Sequence, residues 1–572
     1  MSTDLLNPER FILGRTTESQ TGIRLFSLTD NQTGVTMTYP EPNARVDYAS
    51  TVAWLGANTS RNGRTFQQCF EDLNTYLEDD PTYAAEKFGE VFASYGHASV
   101  GDMATVPLLI DDPTLLQAYR LFAATPIGSG QEWSTRYGKK KSFDIPTLSE
   151  LVTDKVDAEL ETRWQQQKDR MAEYYAHFNE LLRPIIEHYL GANGVDIKRP
   201  DTSDVRSEEL IAWKKLQGTL NARTLDVARM FIPMGTKTKQ AYVDSARDWV
   251  RMSGVFRQSS DPSVVAFGEQ IVAMLLLDQR ADAADIALHL EKFAKYAEGS
   301  DTAIRSIQSI GSTAMGLGIG FDREPTMRPN CGEVTTTKHE LFKYESQTGI
   351  LSALIGMYPN IEHSELARRV AGMSDEELTH ISSGMFAGHN HHNMMHPAFD
   401  VRGIAFTYET ALAYLRDINR HRSFGRHIVQ FTTEDKPLAL IERGWNANFA
   451  LSKSEYWSSQ ESAFNIAMGE VYCEMHAIIS DIEQLYGPEK ANTVLGRILP
   501  LGAQMTMVLS APVQQWAYMT SLRVGLGGDF GYRNDVWNML EQIRRSDPGL
   551  SAMSSHLVAP NVNDIDQITG RS

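Results

Sequence analysis

What most constrains the fold of this 572-residue chain is a set of marks that recurs in the same order in its two halves. In the first half, His97-Ala98-Ser99 precedes Arg120, followed by Ser134-Thr135-Arg136-Tyr137 and Asp144-Ile145-Pro146. Arg229-Met230-Phe231-Ile232-Pro233 and Arg257 come later. In the second half, His396-Pro397-Ala398-Phe399-Asp400 precedes Arg416 and Arg420-His421-Arg422. Arg497-Ile498-Leu499-Pro500 and Arg523 follow. One mark alone is chance, but an ordered series seen twice points to an internal duplication. The length agrees, because a chain of this size exceeds what one hydrophobic core organises.

The segments between the marks read as mixed α and β. Residues 1–45 are polar and turn-rich. Residues 66–97 carry helical spacing, and Val106-Pro107-Leu108-Leu109-Ile110 reads as a short strand. Asp111-Asp112-Pro113 offers a helix start, and the helix is expected to run from Thr114 to Ala124 and stop at Pro126. Residues 150–190, with Leu160, Trp164 and Met171 on one stripe, read as a solvated surface or bundle helix. Glycines and prolines between 295 and 345 mark a junction. Further helices are expected at 361–380, 407–420 and 456–486, and the polar stretch after Leu557 reads as loose.

Composition narrows the function classes. The net charge of −18 lacks the basic excess of a polyanion-binding protein, so broad nucleic-acid binding is not expected. The longest apolar runs, such as Ile271–Leu277, fall far short of a membrane span. No basic-then-apolar leader opens the sequence. The three cysteines, Cys69, Cys331 and Cys473, have no paired spacing, which fits a reducing, cytoplasmic setting. His389, His391, His392 and His396 lack nearby cysteine or acidic partners, so no metal site is expected there.

Two fragments carry the chemistry. Ser129-Gly130-Gln131-Glu132-Trp133-Ser134-Thr135-Arg136-Tyr137 joins hydroxyls, turn amides and a guanidinium, the groups that cradle a phosphate monoester. Its structural counter-reading is a buried Arg–Glu pair that stiffens a turn. Arg420-His421-Arg422 closes a helix on which Leu412, Leu415 and Ile418 would pack and Arg416 and Arg420 share a face. Cations at a helix C-terminus are favoured by the macrodipole alone. They also suit a diphosphate or an electron-rich flavin ring.

The two fragments resemble the halves of the signature of flavin-dependent thymidylate synthases, Arg-His-Arg followed by Ser-x-Arg-Tyr. In the first half the family pattern Ser-x-x-Glu-x-Ser-x-Arg-Tyr falls on Ser129, Glu132, Ser134, Arg136 and Tyr137, while Ala124-Thr125-Pro126 replaces Arg-His-Arg. In the second half Arg-His-Arg is intact, while Gln430, Thr432 and Thr433 replace the Ser, Arg and Tyr. Asp102 stands where the family carries Glu in His-x-Ser-x-x-Glu. Ser245, Arg251, Pro512 and Tyr518 stand at the late flavin asparagines. Each half keeps what the other lost.

The resemblance implies an α+β chain of two tandem domains, each a small, mostly antiparallel sheet flanked by helices. The expected boundaries are an extension at 1–45, a phosphate-cradle domain at 46–300, a junction at 301–340, an Arg-His-Arg domain at 341–557 and a loose tail at 558–572. It further implies conversion of dUMP to dTMP at a composite site, with FAD as cofactor and NADPH and methylenetetrahydrofolate as co-substrates. Ser129, Gln131, Glu132, Ser134, Thr135, Arg136, Tyr137, Arg229 and Arg497 would bind substrate. His97, Ser99, His396, Arg416, Arg420, His421 and Arg422 would bind flavin. Ser134, Arg257 and Arg523 would act on the ring. The family assembles as a homotetramer, so this chain would form a homodimer acting as a pseudo-tetramer. Two alternatives stay open: a paralogue that modifies another pyrimidine nucleotide, for example by hydroxymethylation, and a non-catalytic nucleotide-binding assembly protein.

Overall fold

The computed structural model describes residues 9–15, 23–42, 48–59, 64–80, 83–89, 100–124, 128–136, 143–257, 259, 261–276, 334–335, 338–343, 368, 370–385, 402–428 and 437–570. The chain forms two compact units. One combines Met1–Trp133 with Thr236–Arg328, and the other combines Ser134–Gly235 with Pro329–Ser572. The fold is α+β with antiparallel sheets, as expected, but the units are not the tandem halves. Residues 134–235, expected in the first domain, belong to the unit that holds most of the second.

The first unit is built on β1 (Phe11–Arg15), β2 (Ile23–Asp30), β3 (Thr36–Pro42), β4 (Thr105–Thr114), β5 (Ser129–Glu132) and β6 (Lys237–Ser245), ordered β1-β2-β3-β4-β6-β5. Residues 1–45 are therefore not a mere extension, because they supply three strands. Phe26, Leu28, Met37 and Tyr39 alternate onto one face and join Val106, Leu108, Ile110 and Tyr242 in the core. Gly34, at φ 69, lets the chain turn between β2 and β3. The helices Ala246–Phe256 and Pro262–Leu276 cover that face with Trp249, Phe256, Phe267 and Ile271. The helix expected over Thr114–Ala124 is found at Leu115–Ala124, but Thr114 rather than Asp111–Pro113 caps it. The strand continues through a register shift there, and Thr114 and Gln117 cap the helix reciprocally.

In the second unit, the helix Ala158–Ala192 is a bundle helix with a buried stripe. Leu160, Trp164, Met171, Phe178, Leu182 and Ile186 face inward. It packs against Glu461–Tyr486, whose Phe464, Met468, Val471, Met475 and Ile479 are buried. Phe178 stacks on Phe231, and Phe464 meets both rings edge-on at 5.3 and 5.1 Å. The strands of this unit are β7 (Val334–Thr335), β8 (Lys338–Lys343), β9 (Arg402–Ala411), β10 (Gly425–Ile428), β11 (Trp445–Asn446) and β12 (Gln504–Pro512). Four of them make a sheet ordered β10-β12-β9-β8, and β7 pairs with β11. The helix expected at 407–420 begins only at Leu412, because Arg402–Ala411 is a central strand paired with β8 and β12. Residues 558–572 are not loose as far as they are described: Ile565–Thr569 is helical and Ile568 is fully buried.

The two halves of the sequence share an element order. Each half runs from a ten-residue strand (β4, β9) into a helix (Leu115–Ala124, Leu412–Asn419) and a short edge strand (β5, β10). Long helices follow, then a nine-residue strand (β6, β12) and an eleven-residue helix (Ala246–Phe256, Val513–Arg523). In both sheets the order is first strand, last strand, edge strand. Trp249 donates its indole N–H to the Val106 carbonyl, and Trp516 donates to Ile404, the same bond made once per half.

The second unit also holds the point where the halves meet. Pro233 bridges Pro500 in an antiparallel pair. Met234 N–H donates to Leu499 and Leu501 N–H to Ile232, both at 2.9 Å. Gly235 N–H donates to Arg497 and Gly502 N–H to Met230, both at 2.8 Å. This reciprocal set is what two copies of one segment make about a local two-fold axis. By this register Pro233 matches Pro500 and Trp249 matches Trp516. Arg497 then corresponds to Met230 rather than to Arg229, one position off the pairing expected from sequence.

Candidate functional site

The phosphate-cradle fragment is divided between the units. Ser129, Gln131 and Glu132 lie on edge strand β5 in the first, with Ser129 and Gln131 exposed and Glu132 half-buried. Ser134, Thr135 and Arg136 lie in the second, where the Ser134 hydroxyl accepts the Arg136 N–H at 3.1 Å and shapes the turn. Arg136 is buried and grips Asp226 through two N–H groups, Nη2 at 2.8 Å, while Nη1 donates to the Gly527 carbonyl at 3.1 Å. Burial opposes its charge, but Asp226 with Tyr532 and Asp529 together outweigh burial and hold the guanidinium protonated well above its ordinary range. The buried pair anticipated for this turn is thus Arg136 with Asp226, not with Glu132.

Arg229 follows the helix Glu208–Ala228 on a single 3-10 turn and is 1% exposed. Its Nη1 and Nη2 both donate to Asp417 at 3.1 Å, and Nη2 also donates to Asp529 at 2.8 Å. Asp417 sits one turn from the end of the helix Leu412–Asn419. Burial pushes its carboxyl up, yet Arg229, Arg420, Arg523 and Arg136 together hold it below the usual carboxylate range. That field joins residues from both fragments: Arg136 belongs to the first, and Arg420 to the second. Asp529 caps the helix Phe530–Ser546 through the Gly531 N–H. Burial and the neighbouring Asp226 raise its carboxyl to about 6.

Arg420 ends the helix Leu412–Asn419, as the sequence implied, and Leu412, Leu415 and Ile418 pack inward. Arg416 is buried, and Arg422 lends its carbonyl to Arg426 at 2.9 Å. His421 is buried between the edges of Phe424 and Tyr518, each ring centroid 6.0 Å away. Its Nε2 accepts Arg523 Nε–H at 2.7 Å, so the ring proton sits on Nδ1. Burial first, then Arg523, pushes the imidazole well below its ordinary value. His421 is therefore neutral beside three arginines.

The sign of the resulting pH effect follows from linkage. The unfolded chain takes up a proton on His421 below about 6.5 and the folded chain does not, so this group costs stability as pH falls through that value. Relative to wild type, His421→Gln is expected to gain about 1.4 kcal/mol for each pH unit below 6.5. Urea unfolding at stepped pH measures that slope, and a difference independent of pH contradicts the assignment.

The remaining expected residues lie apart from this cluster or outside the described residues. Arg257 caps the helix Ala246–Phe256 in the first unit. Arg497 is buried in the second unit at the local two-fold, its carbonyl held by Gly235. A Cβ on Gly235 would come within 2.7 Å of that carbonyl oxygen, so glycine is required there. Asp102 pairs with Arg247 at the surface of the first unit. His97, Ser99, Tyr137 and the run His389 to His396 fall outside the described residues. Sequence reasoning missed Asp226, Asp417 and Asp529. Two of them carry a readable signal, since Asp226-x-x-Arg229 and Asp417-x-x-Arg420 set each carboxylate one helical turn before an arginine.

Comparison with known proteins gives little support of its own. No protein-family model matches the chain, and no curated protein matches it. Among the solved structures that match is thymidylate synthase X (ThyX) from Helicobacter pylori with FAD and dUMP. It covers 44% of this chain and 95% of its own, at 16% identity and a TM-score of 0.22, too low to carry an argument about fold or activity.

Proposed function

We propose that this chain is a flavin-dependent, thymidylate-synthase-like enzyme. In this reading it methylates dUMP to dTMP at a composite site, with methylenetetrahydrofolate as carbon donor and NADPH as reductant. The observation that carries the reading is the field at Asp417: Arg136 and Arg229 from the first half and Arg420 and Arg523 from the second act on one carboxylate. Fragments far apart in sequence thus share one electrostatic environment.

The donor set suits the groups assigned to it. Arg416, Arg420 and Arg422 around a neutral His421 offer cations to the diphosphate of FAD and to an electron-rich ring. A reduced flavin held there supplies hydride. Ser134, Thr135 and Arg136 hold the nucleotide phosphate, while Ser129, Gln131, Glu132 and Tyr137 are assigned to the nucleotide by the motif alone. Asp226 fixes the Arg136 fork, so its orientation costs no reorganisation on binding. Arg523 is fixed by His421 and steers the pyrimidine, a task Arg257 shares in the first-half copy. Arg229 completes the phosphate field, and Arg497 is assigned to the substrate by the motif alone. His97, Ser99 and His396 are assigned to flavin by the motif alone. Two chains would assemble as a homodimer.

One observation favours a second, non-catalytic reading: Arg229 spends its donors on Asp417 and Asp529, as a purely structural ion cluster would. The purified chain, incubated with FAD, NADPH, methylenetetrahydrofolate and dUMP, separates these readings by product mass. Appearance of dTMP is expected. A hydroxymethylated nucleotide would assign the paralogous chemistry, and unchanged dUMP would support the structural reading.

A further inference from the structure

We propose that the segment Ala559–Ile568 is a displaceable strap over an oxyanion site formed by Arg223 and Arg533, and that the site takes a phosphoryl group. This inference does not rest on the flavin or uridylate assignment.

Arg223 and Arg533 both lie against the Phe530 ring, 4.4 and 4.8 Å from its centroid, and both are almost wholly buried. Neither forms an ion pair among the described residues. Arg223 donates to four main-chain carbonyls, those of Leu526, Gly528, Gln567 and Ile568. Arg533 donates to the Val524 carbonyl at 3.1 Å and to Gln567 Oε1 at 2.8 Å. Its Nη1, also buried, has no acceptor among the described residues.

A buried guanidinium satisfied by neutral oxygens keeps most of its desolvation cost, and an idle buried N–H adds to it. The two cations also repel. Burial, then the charge of Arg223, brings Arg533 down to about 9. Asp226 and Asp529 act on Arg223 through their charge, but their hydrogen bonds go to Arg136 and Arg229. A phosphoryl group brings the missing negative charge and several oxygens in the geometry a guanidinium fork prefers.

Three of the neutral oxygens, Gln567 O, Gln567 Oε1 and Ile568 O, come from one short segment. It is anchored upstream, where Tyr456 and Tyr189 donate to the Val562 and Asn563 carbonyls. Downstream it is a single helical turn, Ile565–Thr569. In the proposed displacement this last turn, whose Ile568 side chain is buried in the closed form, lifts while the upstream part stays tethered. Release has a consequence, because the glycine-rich run Val524–Asp529 beneath it also holds Arg136 through Gly527 and Arg229 through Asp529.

Calorimetric titration of the full chain with inorganic phosphate, at ionic strength fixed with chloride, tests the site. Hydrogen exchange of residues 559–569 tests the strap. Phosphate is expected to bind and to speed exchange in that segment. Gln567→Ala, which removes a competing acceptor, should tighten binding about tenfold, and Arg533→Met should abolish it. The inference is overturned if phosphate does not bind, if exchange in 559–569 is unchanged on binding, or if Gln567→Ala binds no tighter. Binding that survives Arg533→Met would move the anion to another arginine and overturns it as well.

Discussion

Arg229→Met is expected to destabilise the second unit by about 3–5 kcal/mol, read as a fall in the denaturant midpoint. The reason is asymmetry. Arg229 is the shared cation of Asp417 and Asp529, so removing it leaves two buried carboxylates facing each other and Asp226. Methionine fills most of the volume, so the loss reports charge rather than a cavity. The loss should shrink as pH falls below about 6, where Asp529 is protonated in the folded state and no longer needs its partner. A loss under about 1 kcal/mol would mean that water reaches the cluster and the pairs are screened.

The second large effect concerns Arg136 and Asp226. Asp226→Ala strands a buried guanidinium and should cost about 3–5 kcal/mol, whereas the double replacement Arg136→Met with Asp226→Leu should recover most of it. A double-mutant cycle by urea denaturation gives the coupling. Additive losses would show that the two side chains do not depend on each other. The same double variant keeps the fold while removing the candidate phosphate grip, so it separates stability from any effect on nucleotide binding.

How much of this was legible in sequence differs by element. The pairing of Arg229–Pro233 with Arg497–Pro500 was, because both segments carry the proline at which their backbones meet. The register was not. Arginines one residue apart looked equivalent, while the matching pair Trp249 and Trp516 lies in no motif and is marked only by its indole bonds to β4 and β9. The way each unit is assembled from two separate segments was also hidden. Nothing in the stripe of Ala158–Ala192 says which helix it packs on, and its partner Glu461–Tyr486 lies in the other half of the chain. Residues 1–45 misled through their polar turns, although Phe26/Leu28 and Met37/Tyr39 carry a period of two. At the candidate site the cations were readable but their carboxylates were not. An aspartate on a polar helix face reads as solvated until tertiary packing buries it, as with Asp226 and Asp417.

The measurement that tests the central claim most directly is an absorbance titration of the purified chain with FAD and then dUMP. The account predicts a bound-flavin spectrum that is lost in Arg420→Ala. It also predicts that dUMP perturbs the spectrum in the wild type and not in the Arg136→Met, Asp226→Leu variant. No flavin uptake under any condition, or a dUMP response indifferent to Arg136, would contradict a composite site built from both halves.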